Sequence, residues 1–168
     1  MALNDIDFDA LGEAELAAAI GEGLRGGIEV AFAPEAFELP FLKEVSSLAN
    51  TRSGHLLIGI AGQGGVASGF AVLTGSAEDE LRRLESLAHT GIAPPVAGLQ
   101  MKAVSLAGGG FVIVFRVPAS RQAPHRIRNP RDARSHLIYA RDLSGAYEVH
   151  PRALSDGLFG EPPAPKRR

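Results

Sequence analysis

The chain has 168 residues, 45% hydrophobic and 21% charged, a composition typical of one globular domain with flanking segments. It contains no Cys, which excludes disulfides, thiolate metal ligands and a cysteine nucleophile. No signal-peptide pattern opens it and its apolar runs are too short to cross a bilayer, so we expect a cytoplasmic protein without membrane association.

Charge is divided unevenly along the chain, although the net charge is only −2. Residues 1–44 hold ten acidic residues against Arg25 and Lys43. Residues 116–141 hold seven Arg against Asp132 alone. This distribution predicts one acidic and one basic region, and it says more about binding partners than the net charge does.

The first predicted elements are a helix, a strand and a second helix. Apolar residues at helical spacing from Leu11 to Leu24 predict an amphipathic helix that ends at the Gly26–Gly27 pair. Alternating apolar residues predict a strand over 27–33, stopped by Pro34. A second apolar face predicts a helix over 39–52.

The middle of the chain predicts strands around one more helix. The apolar run at 56–60 is typical of a strand buried on both faces, and 66–70 would pair back on it as a hairpin. Ser76 is the predicted N-cap of a helix that extends to about His89. Residues 96–106 and 111–117 flank three glycines and predict a second hairpin.

The last third predicts a long loop, a strand, a helix and a tail. Residues 120–135 are polar and rich in Arg and Pro, which predicts a loop, and 136–141 predict a strand. A short helix is predicted to open at His150-Pro151 and to be capped by Gly157. The tail 161–168 holds three Pro and ends in Lys-Arg-Arg, so we expect it to be disordered.

A motif in the first half resembles the signature of the AlbA_2 domain of the Schlafen group. Residues 48–60 read L-A-N-T-R-S-G-H-L-L-I-G-I, against a family pattern of roughly A-F-A-N-T-x-G-G-x-L-x-I-G-V. Gly69, the strand 111–117, Pro124-His125 and the segment Ile138–Arg141 follow in the family's order. The resemblance covers about residues 28–158 and implies DNA or RNA binding, in a family that also contains nucleases of structured RNA.

Together with the predicted elements, the resemblance implies an α/β fold of the α+β kind. We expect a mixed, largely antiparallel sheet with flanking helices. The predicted organisation is an N-terminal helical arm at 1–26, an AlbA_2-like domain at 27–160 and a disordered basic tail at 161–168.

The sequence departs from the nucleases where their acidic residues would stand. They share a strand of the form E-x-x-x-E-F-K, whereas this chain has Ala31 and Ala33 where the second Glu and the Lys would lie. Ala61 and Gly62 replace an acidic pair after the buried strand. Because metal-assisted phosphodiester cleavage needs converging carboxylates, Glu29 alone does not supply that chemistry. We therefore predict no catalytic residues and expect binding rather than catalysis.

The Arg-rich region is the main candidate for ligand contact. Guanidinium groups form bidentate hydrogen bonds with phosphate oxygens. Several of them on one loop predict a salt-sensitive site for a polyanion. The alternative is a solvated loop whose Arg residues pair with the acidic first third of the chain. The predicted nucleic-acid-binding residues are Arg52, Arg121, His125, Arg126, Arg128, Arg131, Arg134 and Arg141.

The segment 50–55 joins a predicted helix end to a buried strand. One interpretation is a structural turn, because Asn favours helix ends and Gly54 permits unusual backbone angles. The other is that Asn50 and Thr51, with Glu29, line a groove beside Arg52. Both interpretations stay open at this point.

The remaining motifs indicate no cofactor and no metal. The glycine clusters at 62–65 and 108–110 lack the spacing of a phosphate-binding loop and lie between predicted strands. The five His residues show no metal-ligand spacing, and no serine-hydrolase elbow is present. We predict hairpin turns, no cofactor and no bound metal.

Three functions follow as hypotheses. The first is a nucleic-acid-binding protein, bacterial in style, that contacts the phosphate backbone with weak sequence specificity. The second is a homo-oligomer or assembly adapter whose acidic and basic segments meet head to tail between subunits. The third is a divergent metal-dependent ribonuclease that combines Glu29 with Glu35, Glu38 or Asp142.

Overall fold

A four-stranded mixed sheet forms the centre of the protein, seen in a computed structural model that describes residues 2–150 and 152–153. Its strands are β1 (Val30–Ala33), β2 (Gly54–Ile58), β6 (Gln100–Ser105) and β7 (Phe111–Val117). The strand order is β1-β2-β7-β6, with β1 parallel to β2 and the other pairs antiparallel. The mixed, largely antiparallel sheet with flanking helices is therefore confirmed.

Helices cover one face of this sheet. They are α2 (Glu38–Thr51) and α3 (Ala77–Gly91). Val45 and Leu48 of α2 and Leu84 of α3 are fully buried against alternate residues of β2 and β7, including Leu56 and Phe115. Alternation along a strand sends every second side chain to this core, so both helices present one apolar stripe to it.

The N-terminal segment covers the other face. It contains two 3-10 turns, Leu3–Asp5 and Phe8–Ala10, and the helix α1 (Glu13–Gly21). Leu3, Phe8 and Leu16 are buried against Leu57 and other residues of a second core. Because both faces are covered, β2 is buried along its whole length, as its apolar run predicts.

Two boundaries near this core differ from the sequence predictions. α1 ends at Gly21, not at Gly26–Gly27, because the chain turns at Gly23, whose φ is +86°. The predicted strand at 56–60 is split at Gly59, whose φ is +98°, so Ile60 already belongs to the next strand. A Cβ on Gly59 would lie 2.9 Å from the Val112 side chain, which leaves no room for another residue.

Two hairpins and a capped helix agree with the sequence patterns. β3 (Ile60–Gln63) pairs with β4 (Val66–Phe70), and β6 pairs with β7 across the three glycines. The Ser76 side chain accepts a hydrogen bond from the Asp79 backbone N–H at 3.1 Å, the predicted N-cap of α3. β1 and β6 are shorter than the predicted strands 27–33 and 96–106.

The region predicted as one long loop contains a strand. β8 (Arg126–Arg128) lies between β5 (Ile92–Ala93) and β9 (His136–Leu137) in a small antiparallel sheet. The predicted strand 136–141 is two strands, β9 and β10 (Tyr139–Asp142), and β10 forms a hairpin with β11 (Gly145–Glu148). Ile127 is buried in the main core, which attaches the small sheet to the domain.

The end of the chain falls largely outside the described residues. The predicted helix end at Gly157 and the tail 161–168 lie there. Among the described residues, no helix combines the length and the apolar character needed to span a bilayer.

Candidate nucleic-acid interface

Asn50 joins three segments at the end of α2. Its amide NH₂ donates to the carbonyls of His125 (3.0 Å) and Tyr139 (2.9 Å), and its oxygen accepts from the His125 backbone N–H (2.7 Å). The side chain is buried and its partners lie 75 and 89 positions away in the chain. Asn50 therefore fixes where the loop before β8 and the start of β10 lie against α2.

Arg141 is a buried cation whose guanidinium makes four hydrogen bonds inside the protein. The guanidinium side chain is only 2% exposed and forms an ion pair with Glu44. Its other hydrogen bonds go to the Ser47 hydroxyl (3.1 Å) and to the carbonyls of Gly27 (2.7 Å) and Val30 (3.1 Å). The guanidinium thus connects β10, α2 and the chain entering β1.

This geometry changes the sequence-based assignment of two residues. Arg141 and His125 were both expected to contact nucleic acid, but both are buried, and the His125 ring lies with Nδ1 2.5 Å from the Pro94 carbonyl. Because a carbonyl only accepts, Nδ1 carries the proton and donates it. Neither side chain can reach a ligand, and each instead positions the strands that carry exposed residues.

The expected groove at 50–52 is mainly a structural junction. The Thr51 hydroxyl accepts from the Arg141 backbone N–H at 2.9 Å. Arg52 is exposed and pairs with Glu29 at 3.7 Å. Glu29 also lines a small cavity of about 200 Å³ beneath the N-terminal segment, away from β8. Of these residues, Arg52 has the most accessible charged group.

The small sheet presents an exposed basic face. Arg126 and Arg128 are two positions apart on β8, so their side chains project to the same side, opposite the buried Ile127. The register places His136 of β9 directly across from Arg128. Among the described residues, neither Arg has an ion-pair partner.

The turn between β8 and β9 carries two further exposed Arg residues. The Asn129 side chain accepts from the Arg131 backbone N–H (2.9 Å), and the Asp132 side chain accepts from that of Arg134 (3.0 Å). Such Asx turns use local side chains to order the backbone. Both Arg side chains are left in solvent.

Two exposed Arg residues lie near opposite ends of α2. The Ser120 backbone N–H donates to the Ala49 carbonyl, which places exposed Arg121 near the Arg52 end of the helix. Arg128 lies near its first turn, and a 14-residue helix is about 20 Å long. We call the set the basic stripe; its members are Arg52, Arg121, Arg126, Arg128, Arg131, Arg134 and His136.

A groove opens at one end of the basic stripe. It has a volume of about 450 Å³ and lies between the first turns of α2 and the last turn of α3. The lining residues are Glu38, Leu39, Leu42, Leu87, Thr90, Gly91, Arg128 and Pro130.

A second cavity, of about 690 Å³, lies at the start of α3 and carries more acidic than basic groups. Glu35, Asp79 and Glu80 line it together with one cation, Arg83, beside the exposed Phe37 and Val72. An anionic ligand is therefore disfavoured in this acidic cavity.

The acids of the ribonuclease hypothesis are dispersed. Glu35 and Glu38 line different cavities, and Asp142 lies in the β10–β11 hairpin. Within residues 2–150 and 152–153, no three His, Asp or Glu residues are grouped so that they could hold a metal ion.

His55 is a buried histidine next to a cation. It lies on β2 directly across from Arg116 of β7. Burial, and secondarily the positive charge of Arg116, lower the pKa of His55 to about 4. In the described part of the chain, neither ring nitrogen has a hydrogen-bond partner. The imidazole is therefore neutral at physiological pH.

Two features of the interface are not evident from the sequence. The local pattern predicts His136 only as part of a strand, and it gives no indication of the groove beside Arg128. Both depend on pairing between β8 and β9. The only local indication of β8 is the alternation of Arg126, Ile127 and Arg128. A polar–apolar–polar triplet is too short to predict a strand by itself.

The structure is an α+β domain with exposed Arg side chains on one small sheet. The chain belongs to the Schlafen AlbA_2 family, whose model matches residues 28–149 and whose domains are commonly associated with nucleic acid. This confirms the family resemblance carried by the motif at 48–60.

A solved structure shares the fold. The crystal structure of the DIP2311 protein from Corynebacterium diphtheriae is similar with a TM-score of 0.52 at 16% sequence identity. The similarity covers 88% of this chain but only 32% of that protein, so this chain spans about a third of its length. At this identity the likeness supports the fold alone. No curated protein matches the chain.

Proposed function

We propose that the protein binds nucleic acid through the phosphate backbone, using the basic stripe. The observation that carries the proposal is the exposed face of β8, where Arg126 and Arg128 stand side by side without an acidic partner in the described chain. Family membership supports it, because these domains are commonly associated with nucleic acid.

The physical basis is a set of guanidinium groups held on an ordered surface. Arg126 and Arg128 lie on a strand that Ile127 attaches to the core, and the preceding loop is fixed by Asn50. Less backbone entropy is lost on binding when the strand that carries the donors is already ordered. Guanidinium groups form paired hydrogen bonds with phosphate oxygens, which are the same at every nucleotide. Sequence specificity should therefore be weak.

Salt dependence tests the proposal directly. Six Arg residues in the stripe that neutralise four to six phosphates would give a log–log slope of about −4 to −5 on duplex DNA. Fluorescence anisotropy of labelled duplex DNA, single-stranded DNA and hairpin RNA over a salt series measures this slope. Absence of binding at low salt would rule the proposal out.

Two double variants distinguish the contribution of the basic stripe to binding from the effect of the protein's net charge. Arg126→Ala/Arg128→Ala should make the slope shallower by about 2 and weaken binding at least tenfold. Arg82→Ala/Arg83→Ala removes the same charge from α3, where both residues pair with acids of their own helix. Equal losses in the two double variants would show that only net charge matters.

The assembly hypothesis has one observation in its favour. Phe37 is 65% exposed at the acidic cavity, and a large exposed aromatic residue often marks a protein contact. The basic stripe of a second copy has complementary charge. Light scattering at low salt without nucleic acid would detect such self-association, and Phe37→Ser should abolish it. A monomer at all salt concentrations would remove this candidate.

A further inference from the structure

We propose that the groove beside Arg128 holds one unstacked nucleobase of a bound strand, and that it favours bases bearing an amino group. The inference rests on the proposed function, since the strand's backbone would lie on the basic stripe. It adds a ligand site and a base preference to a surface that otherwise contacts only phosphates.

The walls of the groove suit the faces of a flat ring. Leu39 of α2 and Leu87 of α3 line it, with Leu42 at its base. Leu39 is 37% exposed, so a bound ring would remove apolar surface from water. The volume of about 450 Å³ is within the range of small-ligand pockets.

Apart from Arg128 on the opposite rim, the polar side chains that line the groove, Glu38 and Thr90, are available only as hydrogen-bond acceptors. The Thr90 hydroxyl already donates to the Ser86 carbonyl at 2.8 Å, which leaves only its lone pairs. The Glu38 carboxylate has no hydrogen bond or ion pair in the described part of the chain. A base edge with an exocyclic amino group offers the N–H donors that these acceptors need.

Charge sets the direction in which a strand would enter. Glu38 repels phosphate, whereas Arg128 on the opposite rim attracts it and shares β8 with Arg126. The backbone therefore lies on β8 and the base points toward α2. A paired base reaches such a groove only after it leaves the stack, which costs free energy, so single strands should bind more tightly than duplexes.

The test compares two single strands that differ in this donor. Labelled (dC)₁₂ and (dT)₁₂ are titrated at pH 7.5 by fluorescence anisotropy, because cytosine has an amino group and thymine has none. The wild-type protein should bind (dC)₁₂ about tenfold more tightly, as expected for one good directional contact to a base. Glu38→Gln should reduce this ratio to less than about twofold, since an amide can donate as well as accept.

One control variant removes an acidic charge outside the groove, and a second variant fills the groove with a larger side chain. Glu35→Gln removes the same charge beside the acidic cavity and should leave the ratio unchanged. Thr90→Phe, at an exposed position of the groove, should weaken (dC)₁₂ binding to the level of (dT)₁₂. Thermal melting of each variant checks that it is folded.

The outcomes separate this inference from the proposed function. Equal binding of (dC)₁₂ and (dT)₁₂ that still depends on Arg126 and Arg128 would overturn the groove and leave the proposed function standing. A base preference that Glu38→Gln and Glu35→Gln reduce equally would also overturn it. Failure of both strands to bind would overturn the groove, and failure of duplex DNA and hairpin RNA to bind at low salt would overturn the proposed function as well.

Discussion

The buried cation Arg141 and the exposed pair Arg126 and Arg128 show how one residue type serves two ends. Arg141 contacts Glu44, a hydroxyl and two backbone carbonyls, and its side chain is only 2% exposed. Arg126 and Arg128 lie 13 to 15 positions earlier, project from β8 into solvent and have no acidic partner among the described residues. The first residue holds elements together, and the other two remain available to a ligand.

The difference is physical, since a cation loses its hydration when it is buried. Such a cation is tolerated only where fixed acceptors replace the water. Around Arg141 these acceptors come from α2, from β1 and from the chain that enters β1. On β8 the guanidinium groups keep their water until phosphate replaces it. Position relative to the core therefore decides the role of each Arg.

Removing the buried guanidinium should have the largest effect. Arg141→Ala leaves Glu44 and two carbonyls without their donor and should lower the free energy of unfolding by about 3–5 kcal/mol. Arg126→Ala should change it by less than about 0.5 kcal/mol, because its site is exposed. Urea denaturation followed by circular dichroism measures both. A loss below about 1 kcal/mol in Arg141→Ala would contradict the role of Arg141 as a connector.

Lowering the pH should destabilise the protein through His55, because the protonated imidazole would be a buried cation without a partner. The pKa of His55 is about 4 in the folded protein and about 6.5 when unfolded, so the unfolded chain takes up a proton that the folded one excludes. Its contribution to stability is present above pH 6.5 and is lost as the pH falls toward 4, by about 3 kcal/mol in total. Denaturation midpoints from pH 7.5 to 4 should fall more in the wild type than in His55→Leu.

The same pH series has a built-in check. Carboxylates also titrate near pH 4, so the diagnostic quantity is the difference between wild type and His55→Leu, not the fall itself. Parallel curves for the two proteins would show that His55 is not held neutral by its burial.

Asn50 should come next in size. Asn50→Ala breaks three hydrogen bonds to His125 and Tyr139 and leaves their backbone groups buried, which should cost about 2 kcal/mol. It should also weaken nucleic-acid binding severalfold without removing a ligand contact, because the loop before β8 would be less ordered. The controls are Ser53→Ala, at an exposed site nearby, and binding measured well below the melting temperature. If Asn50→Ala were destabilised but bound nucleic acid with unchanged affinity, the contacts of Asn50 would stabilise the fold without positioning the basic stripe.

Local signals predicted most elements of the fold. The bounds of β7 are those of the predicted strand 111–117, and Ser76 caps α3 as its side chain suggests. The errors lie where distant contacts decide. Gly59 splits an apolar run because Val112 approaches its Cα, and β8 forms inside a polar loop because β5 and β9 pair with it.

The candidate site was predictable in its residue types but not in its orientation. The run of Arg residues predicts a basic region, and the structure exposes most of these side chains. Nothing adjacent in sequence reveals that Arg141 contacts Glu44, 97 positions away. The sequence likewise suggests that His125 is an exposed loop residue. In the structure its backbone is hydrogen-bonded to Asn50 of α2, and the residue is buried. Which side a polar residue faces is a property of the packed structure, so it escapes local patterns.

The smallest effect should come from the exposed ion pair between Glu29 and Arg52. At 3.7 Å, with side chains 41% and 66% exposed, the pair is screened by water, and Glu29→Ala should change stability by less than about 0.5 kcal/mol. The variant releases Arg52 for phosphate and should raise affinity for single-stranded DNA about twofold. Glu85→Ala, an exposed acid on α3, controls for the change in net charge and should raise it less. If Glu29→Ala instead weakened binding, or destabilised the fold by more than about 1 kcal/mol, Arg52 would belong with Arg141 as a structural cation rather than with the basic stripe.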